Sequence, residues 1–362
     1  MSGTISVSTL EVRKNQWSDT RIKTETLTTD LSENEVLFRV DRQALTANNI
    51  SYASSGDMLD YWGFFPTDEG WGRIPAMGWG EVIASAHPDV VVGERAWGFY
   101  PYTTHHKILA GKADQTSFSE VSPHRGKHAP IYSQFDRASV NAIYEVARED
   151  QDSLLRGLFL TSWLVEDLID VNNSFAAEQC LITSASSKTS IALAYSVKAR
   201  GKLASIGITS PGNVAFCENL GCYDHIITYD AVTQMDASQP VVMVDMAGSA
   251  KVMSDLHHHY GDNMKYSCRI GGTHRSEMGS SKGLPGAEPV FFFAPSHRET
   301  RGAELGMEAL TTQMWSAFAD FRVFCDGWMT VHRNHGAEAV INAYQLVLAG
   351  KADPANGQIV SL

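Results

Sequence analysis

Cysteine is scarce in this chain of 362 residues: there are five, at 180, 217, 222, 268 and 325, never paired as Cys-x-x-Cys. An odd, scattered set argues for reduced thiols, with the cytoplasm as the default location, and against a disulfide framework or a zinc cage. Basic charge is also short, since 29 Lys plus Arg stand against 41 Asp plus Glu, a formal charge of −12. Nucleic acid is therefore not an expected partner, because a phosphate backbone needs a basic face. No window approaches the roughly 18 uninterrupted apolar residues of a membrane span. Residues 1–15 have no apolar stretch behind a basic start, so no signal peptide is expected. Neither repeats nor low-complexity tracts are found. What is present is an ordinary globular balance, 43% hydrophobic and 19% charged, with enough chain for two domains.

The first third reads as β-rich. Strands are expected at 36–40, 80–85 and 96–100, with turn residues between them. Glycine and aromatic residues are dense from 56 to 102, which suits a barrel with long loops. Between 137 and 171 apolar residues recur at helical spacing around an acidic stretch, predicting two linking helices. From residue 178 strand and helix alternate. Strands are expected at 180–182, 203–208, 225–227, 241–245, 264–270 and 290–293, and helices at 191–200 and 214–220, each closed by a glycine. Such βαβ units imply a parallel sheet covered on both faces. A helix at 301–324, a strand at 329–332, a helix at 337–349 and a strand at 358–362 complete the chain, and the last pieces are expected to return to the first domain.

The run after the strand at 180–182 is the main candidate for a binding site. Residues 183–190 are all small or hydroxylated except Lys188, and a helix follows. A dinucleotide turn sets backbone N–H groups and a helix N-terminus against a pyrophosphate, and needs small residues to do so. The glycine signature is missing, with serine at 184, 187 and 190. Serine still offers its N–H and adds a hydroxyl, and Lys188 adds a positive charge. A plain Ser/Thr helix cap would use the same residues. At the end of the next strand, Thr209 and Ser210 stand where an NAD site usually carries an acid. Hydroxyls there suit a 2′-phosphate, so NADP(H) is expected rather than NAD(H).

These pieces, in this order, resemble the medium-chain dehydrogenase/reductase superfamily, in its zinc-free quinone-oxidoreductase-like branch. The resemblance is carried by the segments 36–49, 74–85, Val92-Gly93-Glu94-Arg95-Ala96-Trp97-Gly98, Leu160-Thr161-Ser162-Trp163, and 180–230. It spans roughly residues 30–362. It implies an α/β protein with a GroES-like β-barrel catalytic domain (1–140 with 325–362) and a Rossmann doubly wound parallel-sheet domain with linking helices (141–324). It also implies a homodimer through the strand at 290–293. Serine for glycine in the turn marks a divergent branch. The N-terminal domain has no cysteine, so the zinc sites of the alcohol dehydrogenases are missing and no metal is expected.

The expected activity is hydride transfer between NADP(H) and a small carbonyl, enone or quinone substrate. Tyr52 and Tyr61 are the candidate hydrogen-bond or proton donors, with Asn48 positioning substrate. Packing roles serve either tyrosine equally well. The cofactor set is Thr161, Ser184, Ser186, Ser187, Lys188, Thr189, Ser190, Thr209, Ser210, Tyr229, Ala247, Gly248, Gly272, Phe293 and Ala294. His257, His258 and His259 read as a solvated helix end, and Arg301 as an exposed helix-start residue. The rival is a protein that binds NADP(H) as a sensor or partner module and turns nothing over.

Overall fold

The computed structural model describes residues 3–270 and 283–362. Two compact units emerge, Met1–Arg156 with Met329–Leu362, and Gly157–Trp328. The sequence places the divisions at 140 and 325.

The first unit begins with a long hairpin, β1 (Thr4–Arg13) and β2 (Gln16–Thr28), joined antiparallel. The remaining strands are β3 (Glu35–Leu45), the short β4 (Trp71–Gly72), β5 (Pro75–Ser85), β6 (Arg95–Pro101), β7 (His105–Gly111), β8 (Ser117–Glu120) and β9 (Gln134–Arg137). Six of them pair in the order β3-β5-β6-β9-β8-β7, and β7 pairs back onto β3, so the sheet closes on itself. Closure leaves no free edge within the ring. Asn356–Ser361 adds antiparallel to β3, and Thr330–His335 adds parallel to that strand.

Alternation along these strands sends one side chain in two inward. Phe38, Tyr100, Phe118 and Phe135 meet there, with Phe38 stacked 5.3 Å from Phe135 and 6.1 Å from Phe118. Gly98 is required against this stack, because a Cβ would lie 2.5 Å from the Phe135 ring. Burying each ring contributes on the order of 2–3 kcal/mol. Of the aromatic residues anticipated for 56–102, Tyr100 belongs to this core, while Trp62, Phe64, Trp79 and Phe99 are buried elsewhere in the unit.

Helix α1 (Ala47–Ser54) follows β3. The expected helix pair at 137–171 is instead short 3-10 turns followed by one helix, α2 (Glu149–Val171), which contains the division between units. Three acids in its first turn suit the positive end of the helix dipole.

The second unit is a parallel sheet ordered β12-β11-β10-β13-β14-β15. Its elements are β10 (Gln179–Thr183), α3 (Lys188–Arg200), β11 (Ala204–Thr209), α4 (Val214–Asn219), β12 (His225–Thr228), β13 (Val241–Asp245), α5 (Ala250–Tyr260), β14 (Met264–Ile270) and β15 (Val290–Phe292). The order reverses between β10 and β13, the switch point at which such sheets open a crevice beyond their carboxyl ends. The helix expected at 301–324 proves to be two, α6 (Ala294–Leu305) and α7 (Met307–Asp326), broken at Gly306 with φ +86°. Edge strand β15 is less buried than its apolar sequence suggests, with Val290 and Phe291 both exposed. Among the described residues no helix is long and apolar enough to cross a membrane.

Candidate functional site

In the second unit the turn between β10 and α3 is held by its own cap and by groups from the neighbouring strands. Ser184 has φ +52°, a left-handed conformation more usual for glycine. Its N–H donates to the Tyr229 hydroxyl at 3.1 Å, and its carbonyl accepts from Ser187 N–H at 2.8 Å. Ala185 N–H donates to Ile208 O at 3.0 Å, and the Tyr223 hydroxyl donates to Ala185 O at 2.8 Å. Ser187 is the N-cap of α3. Its Oγ accepts from Ser190 N–H at 3.2 Å and donates to Ser190 Oγ, which in turn donates to Thr183 O at 2.8 Å. Ser187 and Ser190 therefore spend their side chains on the cap, as Ser/Thr caps do.

Ser186 and Ser210 stand differently. The Asn213 amide donates to both hydroxyl oxygens, at 3.0 and 3.1 Å. Each serine hydroxyl thus accepts from the amide and still carries a hydrogen of its own to donate, which suits an anion. Thr209, by contrast, is buried and hydrogen-bonded to the Cys217 thiol, and faces the core. The Lys188 charge acts on the Cys325 thiol at the end of α7. Thr161 donates to Gly157 O within α2, while the neighbouring Ser162 donates to Thr189 O at 2.7 Å and ties α2 to the start of α3.

At the carboxyl end of β13, the Asp245 Oδ1 accepts from Thr183 Oγ1 at 2.7 Å and from the N–H groups of Ala247 and Gly248 at 3.0 and 3.2 Å. Burial pushes this carboxyl above its ordinary range, against the pull of those hydrogen bonds and of Arg269. Gly248 has φ +69° and open space where a side chain would begin. Phe293 caps α6 with its ring exposed, and Ala294 opens that helix. Gly272 lies outside the described residues. Arg301 is neither solvated nor open to a ligand: Asp167 on α2 accepts from Arg301 Nε and pairs with His297 Nε2, both at 2.8 Å. His257 is likewise no solvated residue. It is fully buried, 2.8 Å from Pro285 O and 2.9 Å from Ser267 Oγ.

In the first unit Tyr52 and Tyr61 come together, their rings 4.5 Å apart. Tyr52 rises from α1 one turn after Asn48, whose side chain hydrogen-bonds its hydroxyl. Asn49 has a structural task instead. It closes the capping box with Thr46 and donates to Pro75 O at 2.9 Å. The Tyr61 hydroxyl lies 3.5 Å from that of Tyr132. Two struts place Tyr61. Asp60, at φ +58°, pairs with His128 Nε2 at 2.9 Å. The buried Arg125 donates to Phe64 O at 3.1 Å and to Tyr132 O at 2.5 Å, and stacks on the Phe64 ring. Desolvation lowers its guanidinium to about 10. Burial raises all three phenols above the ordinary tyrosine range, so they are neutral donors at neutral pH.

The sequence did not single out Asn213, Tyr223, Asp245 or Tyr132. Asn213 carried a signal, as a short amide after Pro-Gly at the end of a parallel strand. The others become visible only when strands distant in sequence are brought side by side.

A family model described as "Protein of unknown function (DUF2855)" matches residues 43–353. No curated protein matches the sequence. Among solved structures, the chain is similar to CurA in complex with NADPH from Vibrio vulnificus (TM-score 0.62, 12% identity, 99% of each chain covered). It is similar to a protein provisionally described as an NADPH:quinone reductase from Bacillus thuringiensis (0.58, 13%, 99% of each). It also resembles a mutant form of enoyl thioester reductase from Candida tropicalis (0.54, 14%, covering 99% of this chain and 100% of that one). At these identities the likeness establishes the fold. It is the fold anticipated from the sequence, a β-barrel domain with a Rossmann parallel-sheet domain.

Proposed function

The chain belongs to the DUF2855 family, and we propose that it is an NADP(H)-dependent, zinc-free oxidoreductase acting on a small carbonyl, enone or quinone. The observation that carries this reading is the donor group of Ser186, Ser210 and Asn213 where the ends of β10 and β11 meet beside the α3 N-terminus. Two hydroxyl hydrogens and a helix N-terminus fit phosphate, while Thr209 and Ser210 hold the place of the acid that would repel a 2′-phosphate. Lys188 adds charge at the same helix start. The open space over Gly248 and the backbone fixed by Asp245 leave room at the switch point for the nicotinamide half. That several structures of this fold are named for NADPH supports the same cofactor here.

Bound NADPH would supply hydride. The protein's part is to polarise the accepting carbonyl and deliver a proton. Tyr61 and Tyr52 are the donors we assign, because a neutral phenol can hydrogen-bond a developing oxyanion and then transfer its proton to it. Asn48 orients Tyr52. The non-catalytic reading, a nucleotide-binding sensor, draws its support from the same hydroxyls, which are already paired with Asn48 and Tyr132. An edge strand with no partner on its outer side among the described residues, and with Val290, Phe291 and Phe293 exposed, supports a homodimer through β15.

The test is an NADPH-oxidation assay on quinones, enones and aldehydes, run beside nucleotide titrations. Turnover on one class is expected. Tight NADPH binding without turnover would establish the sensor, and no binding of either nucleotide would end both readings.

A further inference from the structure

We propose that Tyr229 and Tyr223 are positioning residues that clamp the β10–α3 turn, and that this clamp replaces the glycine such turns usually carry. The inference rests on the nucleotide reading of that turn only for its effect on binding. Ser184 sits at φ +52° without being glycine. An L side chain persists there only where its surroundings over-determine it. Here they do. The Tyr229 hydroxyl takes Ser184 N–H, Ser187 N–H takes Ser184 O, Ile208 O takes Ala185 N–H, and the Tyr223 hydroxyl fills Ala185 O. Every peptide group of Ser184 and Ala185 is occupied.

The two tyrosines flank β12. Tyr223 lies two residues before the strand and Tyr229 directly after it. Because β12 neighbours β11, and β11 neighbours β10, both rings must reach across β11 to touch the turn. For Tyr223 the bare Cα of Gly207 in β11 makes that reach possible. A Cβ there would lie 2.8 Å from the Tyr223 ring and 2.9 Å from Ala185 Cβ. The glycine missing from the turn is thus found under it, one strand over. Its absence from 184 is compensated by two hydroxyls supplied from the sheet edge. By satisfying the Ser184 N–H, the clamp also withdraws that donor from the ligand, and leaves anion binding to Ser186, Ser210 and the α3 N-terminus.

The test is a rescue series on the full chain: wild type, Tyr229→Phe, Ser184→Gly, and Tyr229→Phe with Ser184→Gly. NADPH dissociation constants and nucleotide-free melting midpoints are measured for each. Tyr229→Phe should weaken NADPH about tenfold, the loss expected of one hydrogen bond, and should lower the midpoint. Adding Ser184→Gly should restore most of both, since glycine adopts this φ unaided. Unchanged affinity and midpoint in Tyr229→Phe would overturn the clamp. So would an affinity loss that glycine does not rescue, which would mean the hydroxyl touches nucleotide directly. Should the wild type bind no dinucleotide, the function proposed above fails, and the clamp stands or falls on the midpoints alone.

Discussion

Tyrosine is used in opposite ways in the two units. In the second, Tyr223 and Tyr229 each give a hydroxyl to one backbone group of a turn, and so act as struts. In the first, Tyr52, Tyr61 and Tyr132 pack their rings together and turn their hydroxyls toward one another and Asn48. A hydroxyl bonded to a peptide group is committed to structure, because removing it strands a buried partner. A hydroxyl that shares a hydrogen with another hydroxyl can exchange that partner for a substrate oxygen at little cost. Residue type does not distinguish the two roles. Partner type does.

The barrel gives the largest expected effect. Phe38→Ala removes a ring from a closed stack and should cost about 3–5 kcal/mol, read as a loss of melting midpoint, with the nucleotide site following only because the fold is lost. Tyr61→Phe sharpens the contrast directly. It should lower kcat by about a hundredfold, the usual scale for a general acid, while leaving NADPH affinity and melting midpoint near those of wild type. A change in midpoint without one in kcat would make Tyr61 a strut like Tyr229.

Asp167→Asn probes a purely structural cluster in the second unit and should cost about 1.5–3 kcal/mol, since it removes the charge-assisted contacts of Arg301 and His297 and leaves Arg301 with Glu304 alone. Burial raises the Asp167 carboxyl, but hydrogen bonds from His297 and Arg301 outweigh this and hold it below its ordinary value. A depressed folded pKa means stability that is present above the unfolded value and is lost as pH falls through the folded one. The penalty of Asp167→Asn in urea melts should therefore be constant near neutrality and shrink as pH drops below about 4. The smallest effect is expected from Asn213→Ala. It removes one amide shared by two hydroxyls and should weaken NADPH about three- to tenfold, with NADH unaffected.

Much of the fold was legible because burial on both faces of a parallel sheet writes continuous apolar runs, as at 180–182 and 241–245. The β1–β2 hairpin was not, since its second strand is largely half-exposed and polar. The helix expected at 301–324 hid a break at Gly306, and its apolar spacing alone gave no reason to expect one. In the candidate site, Ser184 and Tyr229 were named as nucleotide ligands, whereas the structure pairs them with each other. Thr209 is expected from the sequence to face a 2′-phosphate, whereas its hydroxyl bonds the Cys217 thiol. Sequence order marks which loops converge at a switch point. It does not reveal which polar groups are already satisfied there, because their partners come from other strands.

The most direct measurement is a parallel titration of the purified chain with NADPH and NADH, followed by tryptophan fluorescence. Saturable quenching by NADPH is expected, at least about tenfold tighter than by NADH, from the charge-assisted contacts a 2′-phosphate would add. Equal affinities, or no quenching by either, would contradict it.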